Sequence, residues 1–297
     1  MFRNLNALVL GVSGHQSEII ELALTYGFQG IDIDIAEYAI RAKLHGVPYA
    51  RRLVDSARLR MGTFALPLDL DADDAVFTKK LQKLAEFAQI AGEVGCTRCV
   101  TAIAPSDEKR PYHENFEFHR QRLASVCGVL GPCGIRLGVG FQAAEYLRRG
   151  KTFQFIHELD ALTLLLSMVS SPNIGLLIDI WDLYVSGASV DAIRKLPVAQ
   201  LVAVQVANYP AGAPTAELKD DSRHMPGIEG GAIDVAACLT ALAEMGYDGP
   251  VTSKPSKELF KSYRRDLIVK EVGDSLMKVW KAAGLGPTGK LLPAARG

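Results

Sequence analysis

One pattern constrains this chain more than any other: short, β-rich apolar runs alternate with longer helical patterns, eight times in succession. "ALVLGVS" (7–13) precedes the helical "SEIIELALTYG", and "GIDIDI" (30–35) precedes "YARRLVDSARL". "RMGTFALPL" (60–68) leads into a helical pattern over 74–94, and "RCVTAIAP" (98–105) into "NFEFHRQRLASVCGVL". "GIRLGVGF" (134–141) is followed by "FQFIHELDALTLLLSMV", and "NIGLLIDIW" (173–181) by a helix around 189–195. "LVAVQVANY" (201–209) reaches "VAACLTALAEMG" through a long loop, and "GPVTS" (249–253) precedes a helix over about 263–283. Strict alternation of this kind demands a parallel sheet with helices outside it. Eight repeats allow the sheet to close and lose its edges, so the expected fold is α/β, a single-domain (β/α)8 TIM barrel over residues 1–283 with a tail at 284–297. Gly27, Gly95, Gly134 and Gly246 stand where helices would end, in positions that favour the left-handed C-cap. A doubly wound open sheet fits less well, because "LGVSGHQ" after the first run is not a dinucleotide fingerprint.

Bulk properties remove several function classes. The 297 residues are 48% hydrophobic, enough for one large core. Lys plus Arg and Asp plus Glu both number 33, so no basic excess suggests a nucleic-acid partner. The apolar runs in "MFRNLNALVLGVSG" and "ALTLLLSMV" are too short for a signal sequence or a membrane span, and a cytoplasmic protein is expected. Five cysteines suggest reduced thiols. The pair Cys96 and Cys99 in "GCTRC" opens an apolar strand with no second ligand pair, which points to buried thiols over a redox or zinc centre. In the tail, "GLGPTGKLL" fits the spacing of a phosphate loop, but Leu291 replaces the required Ser or Thr and the segment follows a helix. A mobile or partner-docked end is expected there.

The working face of such a barrel is the C-terminal end of its strands. That selects His15 after the first strand, Asp32 and Asp34 on one face of the second, and Gly140 at the end of the fifth. It also selects Asp179 and Asp182 at the end of the sixth, Gln205 and Asn208 on the seventh, Arg223 and His224 in the following loop, and Lys254 at the end of the eighth. Bland roles exist for several of these. Asp32 and Asp34 could be a hydrogen-bonded core pair, His15 a loop residue beside a helix start, and Arg223 and His224 a solvated loop.

"ALTYGFQGIDI", "NFEFHRQRLASVCGVLGPCGIRLGVGF", "SPNIGLLIDIWDLYVSG", "VAVQVANYP", "HMPGIEGGAID" and "MGYDGPVTS" run in order over about residues 5–260. In these the chain resembles the xylose-isomerase-like TIM-barrel superfamily of sugar phosphate isomerases and epimerases, which is related to endonuclease IV. The resemblance implies a divalent ion such as Mn²⁺ or Mg²⁺ held by ligands at the ends of strands five to eight, with two glutamates doubling as acid and base. Carried over residue by residue, the fifth-strand glutamate position holds Gly140, the sixth-strand aspartate is Asp179, the seventh-strand ligand is Gln205, and the eighth-strand glutamate position holds Lys254. Asp182 and Asn208 replace a frequent His and a frequent acid nearby.

An ammonium in that seat repels a cation by roughly 4 kcal/mol per unit charge at about 4 Å and an effective dielectric near 20. Lys254 is therefore expected to replace the metal and pair with Asp179, with Gln205 and Asn208 as hydrogen-bond partners. No cofactor is expected.

Two functions lead, beside a metal site rebuilt from residues such as Asp32, Asp34, Asp179, Asp182 and His224 and a purely interaction-based role. The first is a divergent barrel that binds a small polyhydroxylated or phosphorylated ligand without the metal. The second is a metal-independent isomerase, epimerase or lyase acting on a sugar or polyol derivative. In that enzyme Lys254, Asp179 and His224 would be catalytic, and His15, Asp34, Asp182, Gln205, Asn208 and Arg223 would contact substrate. A sugar-like small molecule is the expected partner, with no nucleic acid or membrane, and a homodimer is compatible. DNA-repair chemistry would need a His-rich metal cluster, and His45, His113, His119 and His157 fall on helices or their approaches.

Overall fold

The computed structural model describes residues 1–293. In chain order the strands are β1 (Phe2–Leu5), β2 (Gly30–Ile31), β3 (Arg60–Met61), β4 (Phe64–Ala65), β5 (Arg98–Ala102), β6 (Ser106–Asp107), β7 (Arg136–Gly140), β8 (Phe153–Gln154), β9 (Ile174–Asp179), β10 (Leu201–Val206) and β11 (Pro250–Ser253). The α-helices are α1 (Gln16–Thr25), α2 (Ile35–His45), α3 (Val47–Ala57), α4 (Asp74–Val94), α5 (Tyr112–Leu130), α6 (Leu159–Val169), α7 (Ile180–Val185), α8 (Val190–Arg194), α9 (Val235–Glu244) and α10 (Arg265–Ala282).

Nine strands form one parallel sheet in the order β3-β2-β1-β11-β10-β9-β7-β5-β4. Its two ends, β3 and β4, are halves of one extended stretch parted only by Gly62 and Thr63. One half pairs with β2 and the other with β5, so the sheet curls round and meets itself as a TIM barrel. Helices wrap the outside, and β6 pairs antiparallel with β8 as a small separate ribbon.

The first strand lies earlier than the sequence pattern suggests. "FRNL" is polar in its middle, yet all four residues are buried. Arg3 donates to the Gly27 carbonyl and lies over Trp280, and Asn4 donates to Asp32 and Thr252. The apolar run 7–13 forms turns instead, with Leu8 67% exposed. The second strand also stops early: Asp34 is the N-cap of α2, accepting from Ala36 N and Glu37 N. That helix is absent from the sequence reading, which carried the strand to residue 35. α4 covers 74–94 as expected, and Gly27, Gly95, Gly134 and Gly246 all take positive φ.

Burial pushes the Cys96 thiol up to about 12, and Cys99 is also raised well above its usual range. Both are free, buried and inert. The tail folds back on the barrel as far as residue 292 instead of standing free, and its last part, 294–297, lies outside the described residues. Leu285 bridges Leu291, Trp280 donates to the Gly286 carbonyl, and Gln29 donates to the Pro287 carbonyl.

Inside the barrel one polar layer runs round half the wall. Asn4 is in register with Thr252, Thr252 with Gln205, and Gln205 with Asp179. In a parallel ladder, residues in register share a face. This layer leads from the wall to the mouth.

Candidate functional site

The mouth is organised by two carboxylates on one short helix. Asp179 ends β9 and caps α7, its Oδ1 accepting from Trp181 N at 3.1 Å. Asp182 lies one turn on, and its Oδ1 accepts from Ala143 N at 2.8 Å, which ties the loop after β7 to the site. Between the remaining oxygens stands Arg223. Its Nη1 donates to Asp179 Oδ2 at 2.8 Å and its Nη2 to Asp182 Oδ2 at 2.7 Å. The guanidinium lies 4.1 Å from the Trp181 ring centroid, and its Nε reaches Asp220 at 3.4 Å. Lys254, following β11, brings its Nζ to 3.1 Å from Asp179 Oδ2. Arg223, Asp179 and Asp182 are almost fully buried, whereas the Lys254 side chain is 33% exposed.

Two cations thus face two carboxylates. Burial alone would push the Asp179 carboxyl up, but Arg223 and Lys254 together outweigh it and hold it below the usual range. For Asp182 burial is the largest influence and Asp179 adds a like charge; Arg223 and the more distant Lys254 offset them only in part, and the carboxyl is raised to about 6. Burial opposes the charge on Arg223, yet Asp179 and Asp182 prevail and raise its pKa.

The expected pair between Lys254 and Asp179 is present, but its other partners differ from those the sequence suggests. Asn208 spends its amide on the backbone: it donates to the Pro226 and Ile233 carbonyls and accepts from Tyr209 N and Ile233 N. It therefore orders the long loop and gives no hydrogen bond to Lys254 or Asp179. Gln205 faces the barrel interior beside Asp179, and its Oε1 is buried with no hydrogen-bond partner among the described residues. The partner that sequence reasoning left among the loop cations is Arg223. His224 is held through its backbone, exchanging hydrogen bonds with Asn208, and its ring takes no part in the hydrogen bonds of the cluster.

A cavity of about 580 Å³ opens above Lys254, lined in part by Gln142, Asp220, Arg223, Ser256 and Lys257. Leu8 and Val9 on the turn after β1 form one side of it. They also border a second cavity of about 260 Å³ that reaches Asp32, Asp34 and Tyr38. Asp32 accepts from Asn4 Nδ2, Asn6 Nδ2 and Thr63 N, while burial raises its carboxyl to about 6. The sequence placed Asp32 and Asp34 together on one strand face; the structure gives Asp32 to the core network and Asp34 to the cap of α2. His15 is exposed at the start of α1, in a separate depression with Arg41, His45, Tyr49 and Arg52.

The four residues aligned with the metal seat do not suit a dication. Gly140 offers no ligand, and a Cβ there would lie 3.2 Å from the Leu177 carbonyl and 3.3 Å from its Cδ2. Both Asp179 oxygens are engaged, one of them by two cations. Lys254 brings positive charge where a hard cation needs carboxylate. Among the described residues no three His, Cys, Asp or Glu side chains gather into a metal-binding group.

A closed parallel barrel with its polar cluster at the C-terminal ends of β9, β10 and β11 is the architecture of the xylose isomerase-like TIM barrels. The family model matches residues 20–270, and the chain belongs to that family. Among solved structures it is similar to a xylose isomerase domain protein from Alicyclobacillus acidocaldarius, with a TM-score of 0.84, 24% identity, and coverage of 95% of this chain and 99% of that one. It is also similar to IolI, solved with a bound zinc atom, with a TM-score of 0.78, 16% identity and coverage of 95% and 99%. A third similar structure is a D-psicose 3-epimerase from Clostridium cellulolyticum H10, with a TM-score of 0.71, 11% identity and coverage of 95% and 99%. A comparison with proteins of curated function found no match.

Proposed function

We propose that this barrel binds a small polyhydroxylated or phosphorylated ligand at its mouth without a divalent metal. The observation that carries the reading is the pairing of Lys254 and Arg223 on Asp179 Oδ2. The cationic pair holds the charge that a dication would otherwise supply. An ammonium has three donors, and Lys254 spends one on Asp179 while part of its side chain stays open to the cavity. Lys257, Gln142 and Ser256 line the same space and supply further polar groups for hydroxyls or a phosphate.

The test is a calorimetric titration of chelator-treated protein with a panel of sugar phosphates, with and without Mn²⁺. Saturable binding that is indifferent to Mn²⁺ and weakened about tenfold by Lys254→Ala supports the reading. Binding that appears only with Mn²⁺ overturns it.

A second reading makes the cleft a lysine enzyme on a sugar or polyol derivative. It is favoured by the position of Asp182, whose carboxyl near 6 lies within one guanidinium of Asp179 and Lys254 and so could exchange a proton in the working range. Borohydride trapping over the same panel separates the two. A covalent mass increment lost in Lys254→Arg supports the enzyme, and binding with no trapped adduct supports the binding protein.

A further inference from the structure

The opposite end of the barrel carries a charge problem of its own. Arg60, Arg98 and Arg136 are the first residues of β3, β5 and β7. Arg98 and Arg136 are in register on neighbouring strands, and so share a face. That face looks into the barrel: a Cβ on Gly138, two residues after Arg136, would lie 3.0 Å from Val202 and 3.4 Å from Val100. A Cβ on Gly175 would lie 3.2 Å from the guanidinium of Arg136 itself. Arg60 lies over the Phe2 ring at 3.9 Å, close under Asn4 on the same strand. Three guanidinium groups therefore converge at the floor.

Their partners do not neutralise them. Arg60 donates to the Asp248 carbonyl at 3.3 Å, and Arg136 donates to the Leu201 and Ala199 carbonyls. Among the described residues the side chain of Arg98 makes no hydrogen bond, and none of the three arginines makes an ion pair. The acid in their neighbourhood is Asp248, which is exposed. Arg98 and Arg136 are half-buried and Arg60 is exposed; burial and the nearby charge of Arg98 lower the pKa of Arg60 and of Arg136, and Asp248 offsets this in part. Like charges gathered in partly desolvated surroundings cost free energy unless an anion answers them. The five donors of Arg98 form a planar fork suited to phosphate oxygens.

We infer that the floor of the barrel, at Arg60, Arg98 and Arg136, is a binding site for a multiply charged phosphate-class anion. The site is distinct from the mouth at Lys254. Arg98 supplies the free fork, and its two neighbours contribute charge while anchored to strand-end carbonyls.

The experiment titrates orthophosphate, pyrophosphate and tripolyphosphate calorimetrically into the full chain, at low and high ionic strength. The expected result is one Arg98-dependent site per chain, affinity rising with the number of phosphates, and weakening with salt. Arg98→Gln is expected to weaken tripolyphosphate binding about tenfold or more, and the exposed control Lys79→Gln on α4 to leave it unchanged. Because Arg98 holds no structural hydrogen bond, Arg98→Gln folds, and without anion it melts at a higher temperature than the parent as one of three like charges is removed. No binding of any of the three anions, equal affinity in Arg98→Gln, or an equal loss of affinity in Lys79→Gln would each overturn the floor site. A lower melting temperature of anion-free Arg98→Gln would overturn the claim that the cluster is uncompensated. None of these outcomes bears on ligand binding at the mouth.

Discussion

At Arg223 a single side chain answers two buried carboxylates, so its removal differs from the loss of a surface ion pair. Arg223→Ala leaves Asp179 with Lys254 alone and Asp182 with no cation in contact. The expected cost is about 3–5 kcal/mol, read from urea unfolding of parent and variant. A second outcome concerns acidity. Asp182 has a folded-state pKa of about 6, above the ordinary carboxyl value, so the folded protein holds that proton more tightly than the unfolded chain. Its contribution to stability is greatest below the unfolded value and declines as pH rises toward 6. Relative to the parent, Asp182→Asn should therefore gain stability as pH is raised across that window, measured as the difference between two urea series. A difference that stays flat would show that Asp182 titrates normally. At this scale the sequence disclosed Asp179 and Lys254, because each follows directly from a strand end. It did not disclose which of Arg223 and His224 would enter the cluster. That choice depends on the backbone bridge between His224 and Asn208, two residues sixteen apart whose pairing is tertiary.

The elements were legible where a local signal agrees with burial. α4 has an acidic start, a helical run and Gly95 at its end with φ +83°, and the sequence placed it correctly. β1 was missed because its polar residues are buried by partners far away in the chain, and local hydrophobicity cannot report such partners. α2 was missed because Asp34 reads as strand by alternation while acting as a cap. The loop from 208 to 233 depends on Asn208, whose amide makes four backbone contacts. Asn208→Leu strands those groups, at about 1–3 kcal/mol for each one left unsatisfied. Limited proteolysis should then cut within 210–232 sooner than in the parent, and unchanged protection would show that the loop is held by other contacts. Gly62 is similarly constrained, since a Cβ there would lie 2.3 Å from Asn4 Oδ1 and 2.4 Å from Asp32 Oδ1. Gly62→Ala should lower the melting temperature by disturbing this inner network, and an unaltered melt would show that the network yields freely.

For the whole molecule, the count of eight repeats was enough to specify the barrel, because a parallel sheet of that length gains by closing. The chemistry of the mouth was less legible, since it arises from loops whose approach angles are set by the assembled wall. The manner of closure was not legible at all: the sheet is completed by β3 and β4, two-residue segments on either side of Gly62 and Thr63. A wall joined through so few ladder contacts should be the first part to exchange its amide protons with solvent. Hydrogen exchange is expected to label residues 60–66 well before β9 or β10, and protection equal to those strands would refute it. Asp32 clasps Thr63 N across that junction while also lining the cavity under Leu8 and Val9. An occupant of that cavity would therefore act as a latch, and its presence would be felt as slower breathing of the whole cylinder.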